Sequence, residues 1–211
     1  MTHSRLSLHE ALDAVYAAGP EEAVVTQAQA RLRRTLQNVT PAPVFYDVLW
    51  QTPIGPVFVA LNARGLLAVR FDTSEKAFRA AMQKKFKTEV ARAPHSTAAA
   101  LRQVSDYLAG KRVAFDLPVD LSALTEFQRN VLQAATQIPR GQVATYSEIA
   151  RRIHRPKAAR AVGQALRNNP MPIVIPCHRV LATDGSLRGY LGKGGTQTKA
   201  HLLALEGVQL N

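Results

Sequence analysis

One cysteine, Cys177, is all that the 211 residues contain. An internal disulfide is excluded, and so is a cysteine-rich zinc site. The six histidines (His3, His9, His95, His154, His178, His201) show no metal-ligand spacing, so neither a metal nor any other cofactor is expected. No apolar run approaches the length of a membrane span, and Met1-Thr2-His3-Ser4-Arg5 lacks the apolar region of a signal peptide. A cytoplasmic protein without a membrane partner is the expectation. Acidic residues are also few: 15 Asp and Glu against 27 Lys and Arg leave a formal charge of +12 and a pI near 10.4. That excess points to a polyanion, although solubility alone could account for a global charge. Its distribution says more. Between Ile149 and Thr183 there is no acidic residue, while Arg151, Arg152, Arg155, Lys157, Arg160, Arg167 and Arg179 all fall there.

What is present, 46% hydrophobic residues, suffices for the core of one or two domains. Residues 1–43 read as a helical extension. Ser7-Leu8-His9-Glu10 has capping-box spacing before an apolar face ending at Gly19-Pro20, and Val25, Ala28, Leu32 and Leu36 repeat at helical spacing. From residue 44 to 121 the texture is α+β. Strands are expected over Tyr46–Gln51, Val57–Leu61 and Leu66–Phe71 as an antiparallel meander, helices over Ser74–Phe86 and Ser96–Leu108, and a last strand over Val113–Leu117. No catalytic constellation stands out in it.

Residues 122–211 read as a mostly helical domain. Thr125-Glu126-Phe127-Gln128 and Thr145-Tyr146-Ser147-Glu148 are both capping boxes. The second opens a short helix, followed by the turn His154-Arg155-Pro156 and a helix expected over Lys157–Arg167: helix-turn-helix spacing. On that last helix Val162 and Leu166 can bury, while Lys157, Arg160, Gln164 and Arg167 make a polar stripe. Such a stripe is either a solvated face or a DNA-binding one. The acid-free surroundings, and small residues such as Ala159 and Ala161 that would let the backbone approach a groove, favour DNA.

The helix leads through Asn168-Asn169-Pro170 into Met171-Pro172-Ile173-Val174-Ile175-Pro176-Cys177-His178-Arg179-Val180. Prolines stiffen this approach, the apolar run can anchor in a core, and His178 and Arg179 would favour a thiolate. A buried inert cysteine would not need that company. Glu206 ends the helical run Lys199–Leu205 beside Gly207, where the helix dipole disfavours a carboxylate. Either a cationic or hydrogen-bonding partner explains it, or it is an exposed surface residue.

Together these residues resemble the O6-alkylguanine-DNA alkyltransferases, also called methylated-DNA-protein-cysteine methyltransferases. Ile175-Pro176-Cys177-His178-Arg179-Val180 reproduces the family's active-site signature, and Ala159-Arg160-Ala161-Val162-Gly163 with Asn168-Asn169-Pro170 its recognition helix and asparagine hinge. The resemblance covers roughly residues 46–207 and is strong from Phe127 onward. It implies a ribonuclease-H-like α/β domain followed by a helical domain with the helix-turn-helix, and a suicide enzyme that moves a methyl or other alkyl group from O6-alkylguanine, and O4-alkylthymine, in double-stranded DNA onto its own Cys177.

By the same resemblance the helix-turn-helix enters the minor groove, with Arg160 filling the gap of a flipped base and Lys157, Arg151 and Arg167 on phosphates. Glu206 orients His178, which takes the thiol proton through a water. Tyr146 protonates the departing guanine and Lys199 lies near the base oxygen. Asn169, Val180, Tyr146 and Tyr190 line the base pocket. The family implies a monomer and leaves cooperativity on DNA open. Two departures stand out: Leu132 replaces a tryptophan of many relatives, and the loop Gly189–Thr196 is slightly long. The alternative of a different class is a helix-turn-helix lesion sensor or regulator whose cysteine is inert.

Overall fold

The computed structural model describes residues 42–187 and 195–209, together with Gln27. The chain divides into the units Met1–Pro41 and Ala42–Asn211. Apart from Gln27, which is helical, both helices expected before residue 43 lie outside the described residues, as do Tyr190 and most of its loop.

Strands β1 (Val44–Leu49), β2 (Val57–Asn62) and β3 (Gly65–Arg70) form the expected antiparallel meander. Alternation sorts their side chains. Tyr46, Val48, Phe58, Ala60 and Leu67 face helix α1 (Glu75–Phe86), which contributes Phe78 and Met82, while Val57, Val59, Leu66 and Val69 face the opposite way. One strand is not evident in the sequence. β4 (Val90–Arg92) pairs parallel with β1, giving a mixed sheet of order β3-β2-β1-β4. Three residues after a helix are too short to show a period-2 pattern.

Val113–Leu117, by contrast, is not a strand, despite its alternating apolar residues. No neighbouring strand offers it a ladder, and its backbone is met by a side chain instead: Gln103 donates to the Asp116 carbonyl and accepts from its amide, both at 2.9 Å. Its backbone bonds to the sheet come at Pro118–Asp120, where the amides of Leu66 and Asp120 reach the Pro118 and Leu66 carbonyls. Gly65 makes this approach possible. At φ +132° it occupies a backbone region that side chains avoid, and a Cβ there would lie 2.3 Å from the Pro118 oxygen. Gly65→Ala should cost about 2–3 kcal/mol and lower Tm by about 4–12 °C, readable by thermal denaturation.

Helix α2 (Pro94–Leu108) starts on a proline at its first turn and packs beneath the sheet. Its Ala100, Val104, Tyr107 and Leu108 belong to one core with Val131 and Leu132 of α3 (Glu126–Thr136), Ile149 of α4 (Tyr146–Arg152), Val162 and Leu166 of α5 (Ala159–Arg167), and Leu202 of α6 (Gly195–Leu205). Each such buried aliphatic or aromatic side chain contributes on the order of 1.5–3 kcal/mol. A mixed α/β half followed by a helical half is the order expected. Among the described residues no helix is long and apolar enough to cross a membrane.

Both capping boxes form as spaced. Thr125 and Gln128 close α3, Thr145 and Glu148 close α4. Lys157 corrects the expected helix start: α5 begins at Ala159, and Lys157 sits in the turn before it, because His154 adopts φ +58° and the Arg155 amide bonds back to the Ala150 carbonyl. The small residues of α5 also divide in two. Ala165 is buried, and Gly163 lies close enough that a Cβ would stand 3.7 Å from the Tyr146 ring, so these two serve the packing of the helix pair. Ala161 alone among them is fully outward.

Candidate active site

The approach to Cys177 is a loop closed on itself. Asn169, wholly buried, accepts from the Met171 amide at 2.9 Å and donates through Nδ2 to the Ile175 carbonyl at 2.9 Å and to Cys177 Sγ at 3.1 Å. The Ile175 amide returns to the Met171 carbonyl at 2.8 Å. Inside this loop Ile173 holds φ +77°, a region in which a β-branched residue is a real outlier costing about 1–3 kcal/mol. Asn169 and the flanking prolines over-determine the turn and keep it there. A single 3-10 turn, Cys177–Arg179, then presents the thiol.

Two short parallel strands bring other elements to it. β5 (Ala144–Thr145) pairs with β6 (Val180–Leu181), so the residue that opens α4, Tyr146, is tied to the chain just beyond Cys177. Burial and then the proximity of Cys177 raise the Tyr146 hydroxyl above its ordinary value, keeping it protonated. Lys199 is 1% exposed; it donates to the Val180 carbonyl at 2.5 Å and lies 5.9 Å from the centre of the Tyr146 ring. Burial pushes its ammonium down to about 8, against the pull of Cys177. Val180 is buried beside them.

His178 is fully buried, and its Nε2 lies 3.1 Å from Glu206 Oε1. Glu206 is set at the end of α6 by a left-handed Gly207 at φ +82°, with the Gly207 and Val208 amides bonding the Ala204 and Leu203 carbonyls. Burial alone would raise its carboxyl, but hydrogen bonds from His178 and Arg179 outweigh that and hold it well below the usual carboxylate range. Burial pushes the His178 imidazole down, against the opposing pull of Glu206. The consistent assignment is a neutral imidazole and an ionised carboxylate. Nε2–H then donates to Glu206, and Nδ1, which has no hydrogen-bond partner among the described residues, keeps its lone pair. That nitrogen can act as a base.

Three residues hold this arrangement together in ways that the sequence does not show. Arg179 is one. It reads in the sequence as local positive charge for the thiolate, but its guanidinium grips both Glu206 oxygens, at 2.8 and 2.7 Å, and also the Ile138 carbonyl. Arg70, at the end of β3, donates to the Pro170 carbonyl at 2.7 Å and to that of Asn169 at 3.3 Å, holding the hinge from the sheet side. Tyr107 of α2 donates to Glu206 Oε1 at 2.5 Å. Arg70 and Tyr107 carry no motif, since each is distant in sequence from the site residues it holds.

Arg151, Lys157, Arg160, Gln164 and Arg167 are exposed, with Ala161 exposed and Ala159 half-buried among them. Arg160, Gln164 and Arg167 fall on the face of α5 opposite its buried Val162, Ala165 and Leu166. Tyr190 lies outside the described residues. A cavity of about 540 Å³ backs onto the loop rather than the thiol, with Leu132, Phe115, Ile173, Ile175, Pro176 and Arg179 in its wall. Among the described residues no group of three or more His, Cys, Asp or Glu could hold a metal ion. The arrangement can generate a thiolate and protonate a leaving group beside a cationic surface.

Comparison with known proteins follows the same division of the chain. A family described as "6-O-methylguanine DNA methyltransferase, ribonuclease-like domain" matches residues 44–121, and one described as "6-O-methylguanine DNA methyltransferase, DNA binding domain" matches residues 126–208. A methylated-DNA–protein-cysteine methyltransferase of Methanosarcina barkeri is 40% identical over 167 residues, covering 77% of this chain and 97% of its own. The crystal structure of Mycobacterium tuberculosis O6-methylguanine methyltransferase superposes with a TM-score of 0.66 at 37% identity, covering 77% of this chain and 92% of that one. The structure of Mycobacterium tuberculosis OGT in complex with DNA gives 0.65, at the same identity and the same coverage.

Proposed function

The chain belongs to the 6-O-methylguanine DNA methyltransferase family, and we propose from that premise that it binds alkylated DNA and moves the alkyl group of O6-alkylguanine irreversibly onto Cys177. The observation that carries this reading is the thiol held at 3.1 Å by the buried Asn169 amide, next to a buried imidazole whose far nitrogen is fixed on a carboxylate. A lesion sensor with an inert cysteine has no use for that relay.

The reaction balances on these residues. The thiol proton passes to Nδ1 of His178 by way of a bridging water, the sulfur attacks the alkyl carbon, and the C–O6 bond breaks with its electron pair going to the guanine. Tyr146, kept protonated by burial, supplies the proton that the departing base takes up. Lys199, near half-neutral at about pH 8, lends positive charge beside Cys177 and Tyr146. The product is a thioether, a poor leaving group, so each molecule reacts once. O4-alkylthymine presents the same alkyl–oxygen bond and falls within the reading.

On the DNA side, the outward face of α5 suits the minor groove, with Arg160 filling the gap of the flipped base and Arg151, Lys157 and Arg167 on phosphates. Asn169, Val180, Tyr146 and Tyr190 line the base pocket in this reading. The protein acts as a monomer in the cytoplasm, on the DNA there. Titrating protein against a methylated duplex tests the reaction: one lesion repaired per protein molecule is expected, and repeated turnover by one molecule overturns it. Arg160→Ala should slow repair of duplex DNA by about 10–100-fold while iodoacetamide labels Cys177 at the parental rate; undiminished duplex repair would refute the finger role.

A further inference from the structure

Tyr107 belongs to α2, in the half of the chain where the sequence reveals no chemistry, yet its hydroxyl lies at the centre of the relay. It donates to Glu206 Oε1 at 2.5 Å and stands 3.3 Å from His178 Nε2, while its ring is buried against Phe115 with a centroid separation of 5.2 Å. Burial, with the Glu206 hydrogen bond next, raises this phenol far above its ordinary value, so its one proton stays and is given to the carboxylate. Its oxygen can then act toward Nε2 only as a second, longer acceptor of the Nε2–H that Glu206 Oε1 receives. Glu206 Oε1 receives three donors in all, from Tyr107, His178 and Arg179, and Oε2 receives the Arg179 Nε.

We propose that Tyr107 is a positioning residue that sets the basicity of His178. A carboxylate shared among more donors offers less negative charge to each of them. With the phenol in place, Glu206 orients the imidazole through Nε2–H but attracts a second proton on the ring only weakly. With the positive charges of Arg179 beside it and of Lys199 from α6 also disfavouring a second proton, the base stays neutral and ready below the ordinary histidine range. Without the phenol, Glu206 turns more of its charge on His178, and the protonated, unreactive imidazole persists to higher pH. The α/β half thereby tunes the base that serves the helical half. This inference rests on the thiol-transfer reading above.

Tyr107→Phe keeps the ring and its packing and removes only the hydroxyl. The experiment measures the rate of methyl transfer from a duplex containing O6-methylguanine against pH, for the full-length parent and Tyr107→Phe. Iodoacetamide labelling of Cys177 is followed in parallel, since the chain has one cysteine. The expected result is an acid limb moved to higher pH in the variant for both reactions, so that its rate near pH 6 falls about 3–10-fold further below parent than its rate near pH 8. Superimposable normalised pH profiles, with or without a lower Tm, overturn the proposal and leave Tyr107 a packing residue. Failure of the parent itself to accept a methyl group overturns the functional reading instead, and the iodoacetamide profiles still decide the role of Tyr107.

Discussion

Cys177→Ser should accept no methyl group from O6-methylguanine in duplex DNA, a loss to the limit of detection, while its affinity for the same duplex stays within a few-fold of the parent's. Sulfur and hydroxyl oxygen are close enough in shape for the Asn169 amide, now 3.1 Å from Sγ, to donate to either. Their chemistry differs. A neutral imidazole can draw a proton from a thiol but leaves a serine hydroxyl almost wholly protonated, and oxygen is the harder nucleophile toward an alkyl carbon. In the proposed reading DNA is held by the cations of α4, the turn and α5, which are exposed where Cys177 is buried. Electrophoretic mobility shift and methyl-transfer assays on one duplex read the two properties separately. Retained transfer in Cys177→Ser would remove the sulfur from the reaction.

Arg179→Met should be the most destabilising single change at the site. The guanidinium supplies three hydrogen bonds, two of them to Glu206, and the carboxylate it serves has no exposure of its side chain. Removing one partner of such a pair leaves the other charge buried with too few donors, a loss of about 3–5 kcal/mol, or about 6–20 °C in Tm for a chain of this size. The pH dependence has a definite sign. Glu206 is depressed in the folded protein, so it contributes stability that is fully present above the ordinary glutamate value of 4.5 and is lost as pH falls toward its folded value. The buried His178, pushed down, acts in the same direction: below 6.5 the unfolded chain takes up a proton that the folded one refuses. The parent should therefore lose stability steadily below pH 6.5, and its advantage over Arg179→Met should shrink as pH falls through the Glu206 value of the variant, which loss of the guanidinium raises. Urea denaturation across that range measures both. An equal gap between the two proteins at pH 7 and pH 4 would contradict the assignment of Glu206 as an ionised, arginine-held carboxylate.

What could be read from the sequence was whatever is local. The partners of each capping box, Thr125 with Gln128 and Thr145 with Glu148, are three residues apart, the turn at His154-Arg155-Pro156 separates two helices, and the Pro176-Cys177-His178-Arg179 run is contiguous; all are present as spaced. Glu206 was legible for a related reason, since a carboxylate at a helix C-terminus is out of place unless something holds it. Tyr107 and Arg70 were not legible. Tyr107 meets Glu206 across 99 positions, and Arg70 meets Asn169 and Pro170 across 99 and 100, so no spacing rule joins them. Val113–Leu117 shows the opposite failure. Its alternation is that of a strand, but alternation describes which side chains are covered and says nothing of whether a partner backbone lies alongside. Arg179 misled by adjacency, as its neighbour in sequence is the thiol and its partner in space is the carboxylate.

The central claim is that Cys177 is a consumable alkyl acceptor. The protein is incubated to completion with a duplex carrying O6-methylguanine, digested, and the peptide containing Cys177 analysed by mass spectrometry. One methyl group is expected, on the Cys177 sulfur, in an amount equal to the guanine restored in the DNA. An unmodified Cys177 after full incubation with accessible substrate would contradict it.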